Sequence, residues 1–246
     1  MTLKSRHVEE NQRQSHQYRG ISPPPLEKPR PKDGALVDLV KPDEKRHGSI
    51  PLIKAIGQRQ SRRKFTSDAL RLEELSFLLW STQGVKSIDK NKVWTRRVVP
   101  SAGSRHPFET YLVVNRVDGL ERGVYRYLPI EHKLLLVSKH DRQLSDRISD
   151  ACDGQAFVGE SAVVFVWATI PYRSEWRYGA AAYKGILVDA GHVCQNLYLA
   201  CEAIGAGTCA VLAYDQKAMD DLIDVDGKDE FTIYLAPVGK VHDSSR

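Results

Sequence analysis

The strongest constraint on the fold is a proline-free stretch at residues 179–205 (GAAAYKGILVDAGHVCQNLYLACEAIG). It contains no Asn-Gly or Asp-Gly turn, and it ends on a glycine, which suits the position just past a helix. A helix of this length would run roughly 40 Å, longer than most helices in globular proteins. Because apolar residues occupy nearly all its sides, the pattern predicts a helix buried inside a domain or between subunits.

Four polar residues interrupt this apolar helix, and each would need a partner there. They are Asp189, His192, Gln195 and Asn196. The Asp189-x-x-His192 spacing also allows a metal site, but helix bundles that hold two irons use two Glu-x-x-His pairs and two further carboxylates. The chain has no second copy of such a pair. We therefore interpret these residues as satisfied core groups and predict no metal.

Length and composition indicate an ordinary globular protein. The chain has 246 residues, of which 41% are hydrophobic and 27% are charged. These values fit one large domain or two small ones with a sizeable core. The formal net charge of +5 is mild, and acidic residues are interleaved with basic ones. A phosphate-bearing ligand is compatible with this charge, whereas nucleic acid is only weakly indicated and is not an expected partner.

The cysteines and the N-terminus bear on the compartment. Cys152, Cys194, Cys201 and Cys209 form no Cys-x-x-Cys pair and no zinc-binding spacing. Cys194 and Cys201 would lie about 10.5 Å apart along the predicted helix, too far for a disulfide. A reducing compartment is the expectation. The N-terminus lacks an apolar signal segment and no run approaches a membrane span, so we expect a cytoplasmic protein with no membrane partner.

Residues 1–48 differ from the rest of the chain. They carry several prolines among charged residues and show no hydrophobic periodicity. This composition favours an extended, flexible arm over a packed element. The arm could be a solvated tail, or it could lie across a partner subunit. Residues 49–246 then form one globular domain.

The globular part mixes helical and strand patterns. Helices are predicted at residues 50–56, 70–83, 144–152 and 215–223, besides the long helix. Strands are predicted at residues 109–117, 124–128, 134–138, 162–169, 209–213 and 231–238, with residues 93–99 extended. The continuous apolar run at 162–169 is typical of a strand buried on both faces, and the second and third strands form a hairpin. The predicted class is α+β.

Three short segments could carry chemistry. Residues 59–65 (RQSRRKF) place basic side chains around a serine, which can bind phosphate through charge-assisted hydrogen bonds or form an exposed basic loop. Residues 100–107 (PSAGSRHP) set small residues between prolines, which lets main-chain groups approach a flat ligand or simply connects two elements. Residues 205–208 (GAGT) lie between a helix and a strand, the wrong order for a dinucleotide-binding turn, and are excluded.

In this order around the long helix, the first two segments resemble the nitroreductase superfamily of flavin enzymes. The closest similarity is to its SagB-like branch, the azoline dehydrogenases and their stand-alone relatives. It spans about residues 50–240 and rests on residues 59–65, 100–111 and 189–199 (DAGHVCQNLYL). The resemblance implies a three-layer fold with a mixed sheet flanked by helices. It also implies an intertwined homodimer, with the long helix at its interface and two FMN molecules between the subunits.

The resemblance further implies which residues hold the cofactor. The segment that holds the FMN phosphate and ring matches Arg59, Gln60, Ser61 and Arg63. The loop that the partner subunit lays beside the isoalloxazine matches Pro100, Ser101, Ala102 and Ser104. Residues 210–214 (AVLAY) match the segment that presents backbone amides to flavin N5, and many nitroreductases have Glu-Gly where this chain has Leu212 and Ala213. A main-chain donor survives that change, whereas the glutamate side chain does not.

The residues expected beside the substrate are Arg177 and Tyr178. Azoline dehydrogenases of this branch use a Lys-Tyr pair ahead of the long helix to remove a proton, and Arg177-Tyr178 stands at the matching place. An arginine stays protonated and cannot become a base as a lysine can, which argues against azoline oxidation. Tyr178 could donate a proton or hydrogen bond to an acceptor, or it could pack in an aromatic cluster with Tyr172, Trp176 and Tyr183.

We therefore predict an FMN-dependent, homodimeric oxidoreductase. It would transfer hydride between NADH or NADPH and an organic acceptor by a ping-pong mechanism, with the flavin as the reactive group. One alternative from the same fold is a dehydrogenase of peptide azoline rings, either thiazoline or oxazoline. An alternative of a different class is a flavin-binding or interaction protein without catalysis.

Overall fold

The computed structural model describes residues 15–41, 43 and 48–242. Its helices are α1 (Leu52–Gln58), α2 (Leu72–Gln83), α3 (Leu144–Ala151), α4 (Ala156–Glu160), α5 (Tyr172–Tyr178), α6 (Ala182–Ala203) and α7 (Gln216–Leu222). Its strands are β1 (Leu36–Asp38), β2 (Val85–Ile88), β3 (Thr95–Arg97), β4 (Phe108–Val114), β5 (Gly123–Leu128), β6 (Lys133–Lys139), β7 (Val163–Thr169), β8 (Ala206–Thr208) and β9 (Phe231–Lys240). Short 3₁₀ turns occur at Ala102–Ser104 and Gly179–Ala181.

The main sheet has seven strands in the order β1-β6-β5-β4-β7-β9-β8, and β2 and β3 form a separate hairpin. The predicted α+β class is confirmed. The predicted mixed sheet needs one correction, because every neighbouring strand pair in the described part of the chain is antiparallel. The reason is the position of β9. Strand β8 runs parallel to β7 after the return through the long helix, but β9 lies between them and pairs antiparallel with both.

The sheet is covered on both faces, so the domain has three layers. Strand β7 shows this directly, because successive side chains of a strand point to opposite faces. Val163, Phe165 and Trp167 pack with α2 and α6, in one apolar cluster. Val164 and Val166 pack with α3, α4 and α7, in another. The sequence prediction of a strand buried on both faces is therefore confirmed.

The long helix occupies the layer beside α2 and is buried on one side only. Helix α6 begins after the 3₁₀ turn Gly179–Ala181, and Gly205 follows it with φ +65°, the left-handed conformation that glycine adopts without strain. Val193 and Leu197 are buried against the sheet. Leu187 is 59% exposed and Val188 is 58% exposed, so no residue that the structure describes covers this apolar face of the helix.

Several local predictions were wrong. The strand expected at residues 209–213 lies earlier, at Ala206–Thr208, and residues 209–213 keep only one bridge to β9, between Val211 and Leu235. The apolar run misled the prediction because Leu212 is exposed. Sequence reasoning also missed α4, α5, β1 and β2. For α5 a signal was present, since Pro171 and Gly179 bracket an unbroken segment.

The part of the predicted arm that the structure describes packs on the domain of the same chain. Strand β1 pairs with β6, and Leu26 is buried. Three arginines of the domain donate hydrogen bonds to main-chain carbonyls of residues 25–29: Arg97 to Leu26, Arg126 to Pro29 and Arg173 to Pro25. These contacts differ from those of a solvated tail. The remaining residues of the predicted arm, 1–14, 42 and 44–47, lie outside the described residues.

A buried ion pair joins this N-terminal segment to the sheet and to α5. The guanidinium of Arg173 lies 2.5 Å from the carboxylate of Glu109, and both side chains are 2% exposed. The same Glu109 oxygen accepts a hydrogen bond from the backbone N–H of Lys28 at 2.8 Å. Removing one partner of a buried pair leaves the other charge uncompensated in a low-dielectric region.

Replacing Glu109 with glutamine should therefore lower the free energy of unfolding by about 3 kcal/mol, because Arg173 would keep its charge without a counterion. Urea unfolding measures this change. The matched control is Asp221→Asn, which breaks an exposed pair with Lys217 and should leave the unfolding midpoint unchanged. Equal midpoints for Glu109→Gln and the unmodified protein would contradict the assignment of this pair as a structural anchor.

Candidate functional site

The first group of predicted site residues meets at Tyr198, in the C-terminal half of α6. The Ser61 hydroxyl lies 3.0 Å from the Tyr198 hydroxyl, which also accepts a hydrogen bond from the backbone N–H of Ala210 at 2.9 Å. The Arg59 guanidinium lies over the Tyr198 ring, 5.3 Å from its centre. Tyr198 therefore joins the basic segment to residues 210–213, a role that sequence reasoning missed.

The three arginines of the basic segment have different surroundings. Arg62 forms an ion pair with Glu202 at 3.3 Å. Its side chain packs against Gly207, where an added Cβ would fall 2.5 Å from the arginine Cδ. Arg59 and Arg63 contact only aromatic faces, and neither guanidinium has a hydrogen bond or ion pair to another described residue. Those two guanidinium groups are therefore available to bind an anion. Gln60, the fourth predicted contact, is exposed beside them.

The segment after β8 presents unused main-chain donors. Val211 exchanges both backbone hydrogen bonds with Leu235, which fixes the segment to β9. The next two residues, Leu212 and Ala213, are exposed. Within the described part of the chain their N–H groups have no acceptor, while the carbonyl of Ala213 accepts from Gln155 at 3.1 Å. Two free N–H donors thus lie close in sequence to Ala210, which Tyr198 holds.

The second group of predicted residues meets at Asp189, in the N-terminal half of α6. The Asp189 carboxylate accepts hydrogen bonds from the Ser101 hydroxyl at 2.5 Å and from the Ala102 N–H at 3.1 Å. The Ser101 oxygen accepts in turn from the N–H of His106. Burial raises the pKa of Asp189, and the two donors oppose that rise. Asp189, predicted as a satisfied core group, therefore anchors the loop at residues 100–107.

The tip of this loop lies against Arg177 and Tyr178. Gly103 has φ +60°, and a Cβ built on it would fall 2.5 Å from the Tyr178 hydroxyl and 2.7 Å from Arg177 Cδ. The chain therefore needs glycine at this position for both its conformation and its contacts. Tyr178 and Arg177 make no side-chain hydrogen bond to any residue that the structure describes. Of the other loop residues, Pro100 is exposed and Ser104 has φ +54°.

The two groups occupy different parts of the long helix. Nine residues separate Asp189 from Tyr198, which corresponds to roughly 13 Å along a helix axis. One chain therefore holds the basic segment and residues 210–213 at one end of α6, and the loop with Tyr178 at the other. A cavity of about 1030 Å³ also adjoins α6, lined by residues that include Leu52, Phe77, Trp80 and Leu199, but none of the predicted site residues lines it.

Comparison with known proteins identifies the fold family. Residues 56–240 match the nitroreductase family. The chain is a member of that family. A protein of Methanocaldococcus jannaschii that carries the name nitroreductase is 30% identical over 207 residues, which covers 84% of this chain and 98% of that protein.

Two further similarities, to a trifolitoxin-processing protein and to a chain of a microcin synthetase complex, support the SagB-like branch of the nitroreductase family. The trifolitoxin-processing protein TfxB of Rhizobium leguminosarum bv. trifolii is 27% identical over 138 residues, covering 53% of this chain and 36% of that protein. The E. coli microcin synthetase McbBCD complex contains a chain of similar fold, with a TM-score of 0.61, 21% identity and coverage of 80% and 76%. A nitroreductase-named structure from Ralstonia eutropha JMP134 has a TM-score of 0.69, 23% identity and coverage of 90% and 99%.

The remaining polar and aromatic predictions separate into distinct roles. Asn196 donates to the carbonyl of Ser81 at 2.8 Å, whereas His192 and Gln195 are exposed. No group of histidine, cysteine, aspartate and glutamate in the described residues could hold a metal ion.

Trp176 is buried and donates to the carbonyl of Ile21, so it is a structural member of the aromatic set. Among residues 15–41, 43 and 48–242, no helix has the length and hydropathy that a membrane crossing requires.

Replacing Gly103 with alanine tests the contact between the loop and Tyr178. The new methyl group would overlap two side chains in a conformation that costs a non-glycine residue about 1–3 kcal/mol. Urea unfolding should report a destabilisation of that size. Gly57→Ala is the matched control, because nothing lies within 4 Å of its added Cβ and its φ is not positive. It should be neutral or stabilising, and a similar loss in both variants would contradict the contact.

Proposed function

We propose that this nitroreductase-family chain is an FMN-dependent oxidoreductase that transfers hydride between NADH or NADPH and an organic acceptor in a ping-pong cycle. The observation that carries the proposal is the group around Tyr198. There, the Arg59 guanidinium lies over the tyrosine ring, and the tyrosine hydroxyl accepts from Ala210 N–H, just before Leu212 and Ala213, whose N–H groups have no acceptor among the described residues. Arg63 of the same segment lies over the Phe157 ring and, like Arg59, has no counterion among the described residues. Phosphate and a flavin ring edge require donors of these two kinds.

The basic segment fits the FMN phosphate. Arg59 and Arg63 would give forked, charge-assisted hydrogen bonds, and the Ser61 hydroxyl would add a neutral donor. Arg62 is not available for this role because Glu202 holds it. Gln60, exposed between Arg59 and Ser61, would contact the phosphate or the ring.

Residues 212 and 213 fit the reactive edge of the ring. The N–H groups of Leu212 and Ala213 would donate to flavin N5, a contact that needs only the main chain and so tolerates the loss of the glutamate side chain that many family members have there. Bound FMN would supply the two-electron chemistry, taking hydride from a nicotinamide and passing it to the acceptor. The protein's part is to bind, orient and stabilise charge.

The other half of the site would come from a second copy of the chain. Leu187 and Val188 expose apolar surface on α6, and Ile53 on neighbouring α1 is 84% exposed. A helix face of this kind is normally covered. A homodimer through α6 would cover it, and would bring the loop with Pro100, Ser101, Ala102 and Ser104 to the ring held by the partner's basic segment. The separation of the two groups within one chain supports this arrangement.

Tyr178 is the proposed donor on the acceptor side. Its hydroxyl contacts the loop at Gly103 and has no hydrogen-bond partner among the described residues, so it is free to donate a proton or hydrogen bond to an acceptor receiving hydride. The dehydrogenation of peptide azoline rings remains a second candidate, supported by the similarity to a trifolitoxin-processing protein. Arg177, in place of a lysine, argues against it. A flavin-binding protein without catalysis is the third.

Spectroscopy and a double variant test the flavin site together. The purified protein should show the absorption of oxidised FMN, and anaerobic NADH or NADPH should bleach it. Arg59→Ala with Arg63→Ala should weaken FMN binding by about tenfold or more per residue, because each charge-assisted contact contributes about 1.5–3 kcal/mol. Fluorescence titration with FMN measures the affinity.

The neighbouring Lys64 provides the control. Lys64 is exposed in the same segment, and its side chain makes no hydrogen bond or ion pair with another described residue. Lys64→Ala should therefore bind FMN with unchanged affinity. Full FMN retention by the double arginine variant would refute the phosphate assignment. Bound flavin that no nicotinamide reduces would favour the non-catalytic alternative.

Assembly is tested by charging the exposed face of α6. Leu187→Glu combined with Val188→Glu should convert the dimer to a monomer and release FMN, since an obligate interface typically buries about 2,000 Å² or more of mostly apolar surface. Analytical ultracentrifugation with flavin absorbance measures both effects at once. Ile88→Glu charges an exposed apolar residue outside α6 and should leave the dimer intact. An unmodified protein that is monomeric yet FMN-loaded at micromolar concentration would contradict the proposal.

A further inference from the structure

The guanidinium of Arg177 is placed as a binding group without an occupant. Its Cδ and Nε lie 2.7 Å and 2.9 Å from the Cβ position of Gly103, so the stem of the side chain is held against the loop. The Arg177 guanidinium makes no ion pair or hydrogen bond to any described residue. It lies over the ring of the adjacent Tyr178, 5.6 Å from the ring centre. The side chain is half-buried. Because the stem is held against the loop, the unpaired guanidinium keeps a defined position in which it is free to bind an anion.

The surroundings of Arg177 carry an excess of positive charge. Arg105, in the same loop as Gly103, is buried, and its pKa is lowered to about 10 by burial and by the positive charges of Arg173 and Arg177. Arg173 is balanced by Glu109, whereas Arg105 donates only to main-chain carbonyls, those of Arg173 and Val93. Asp189, the acidic group of the adjoining loop contact, accepts from the neutral donors Ser101 and Ala102 and keeps its negative charge, which offsets only one of the two arginines, Arg105 and Arg177, that lack a counterion among the described residues. An anion near Arg177 would therefore meet a favourable potential.

We propose that Arg177 binds a carboxylate on the organic acceptor and thereby selects anionic acceptors over neutral ones. This inference rests on the proposed function and specifies the substrate class of that site. Carboxylate is the favoured anion because a single planar guanidinium matches its two oxygens in a bidentate pair. The Tyr178 hydroxyl on the same turn would then face the group that receives hydride, so the two neighbouring residues divide recognition and proton donation.

A binding measurement tests Arg177 without any turnover. Titration calorimetry on the purified dimer, without NAD(P)H, compares benzoate with its neutral isostere benzamide. The unmodified protein should bind benzoate more tightly, and Arg177→Gln should reduce the benzoate preference by about tenfold or more, as expected for a charge-assisted hydrogen bond. Lys184→Gln is the matched control. Lys184 is an exposed cation on α6, and its ammonium group lies over the ring of Tyr183. Its replacement should leave the benzoate preference unchanged.

The corresponding kinetic test uses 4-nitrobenzoate and 4-nitrobenzamide as acceptors. The ratio of their kcat/KM values should favour the carboxylate in the unmodified enzyme and in Lys184→Gln, and should fall about tenfold or more in Arg177→Gln. The change should lie mainly in KM, because recognition of a remote carboxylate acts on binding. Arg177→Lys should recover only part of the preference, since an ammonium group lacks the forked geometry.

The outcomes separate this inference from the proposed function. A protein that binds no FMN or reduces neither acceptor overturns the proposed function, and the calorimetric comparison still decides whether Arg177 binds carboxylate. Equal affinity of the unmodified protein for benzoate and benzamide overturns the inference. So does a benzoate preference that survives in Arg177→Gln, even if both acceptors are reduced rapidly.

Discussion

The buried pair of Glu109 and Arg173 is the interaction on which the position of α5 depends. Glu109 lies on β4, Arg173 on α5, and both reach the N-terminal segment, through Lys28 N–H and the Pro25 carbonyl. Arg105 of the loop then donates to the main-chain carbonyl of Arg173 at 2.7 Å. The pair is costly to desolvate, and these extra hydrogen bonds offset part of that cost, while the buried Nη1 of Arg173 has no hydrogen-bond partner among the described residues. The N-terminal segment is therefore part of the support for α5, and so for Arg177 and Tyr178.

The long helix α6 holds the two groups of candidate site residues apart from each other. Asp189 fixes the loop at one end and Tyr198 fixes the basic segment at the other, and both are side chains of one rigid element. Because α6 is rigid, the two groups cannot approach each other within a chain. The exposed apolar residues Leu187 and Val188 lie just before Asp189, and a second copy that covers them would place one chain's loop against the other's basic segment. Binding of FMN and assembly would then be coupled, since each stabilises the other.

Features that follow from periodicity were predictable, and features that depend on distant partners were not. The apolar stripes specified α6 and β7 to within a few residues. The choice of Arg59 and Arg63 within the basic segment came from the family resemblance and stays a prediction. The segment alone could not show that Arg62 differs, because that depends on Glu202 and on the space above Gly207. Likewise, nothing local reveals that Tyr198 holds Ala210, or that residues 209–213 leave the sheet. The same limit applies to residues 25–29, whose carbonyls are held by arginines far along the chain.

The groups around Tyr178 favour giving a proton over taking one. His106, the nearest histidine of the loop, is buried against the Thr95 carbonyl, and burial with the charge of Arg97 lowers its pKa to about 2. Asp189 already accepts from Ser101 and Ala102. Arg177 cannot act as a base. None of these three groups is therefore a free base for Tyr178. Reduction of an acceptor needs a donor at this position, whereas ring dehydrogenation needs a base, so the local chemistry supports reduction.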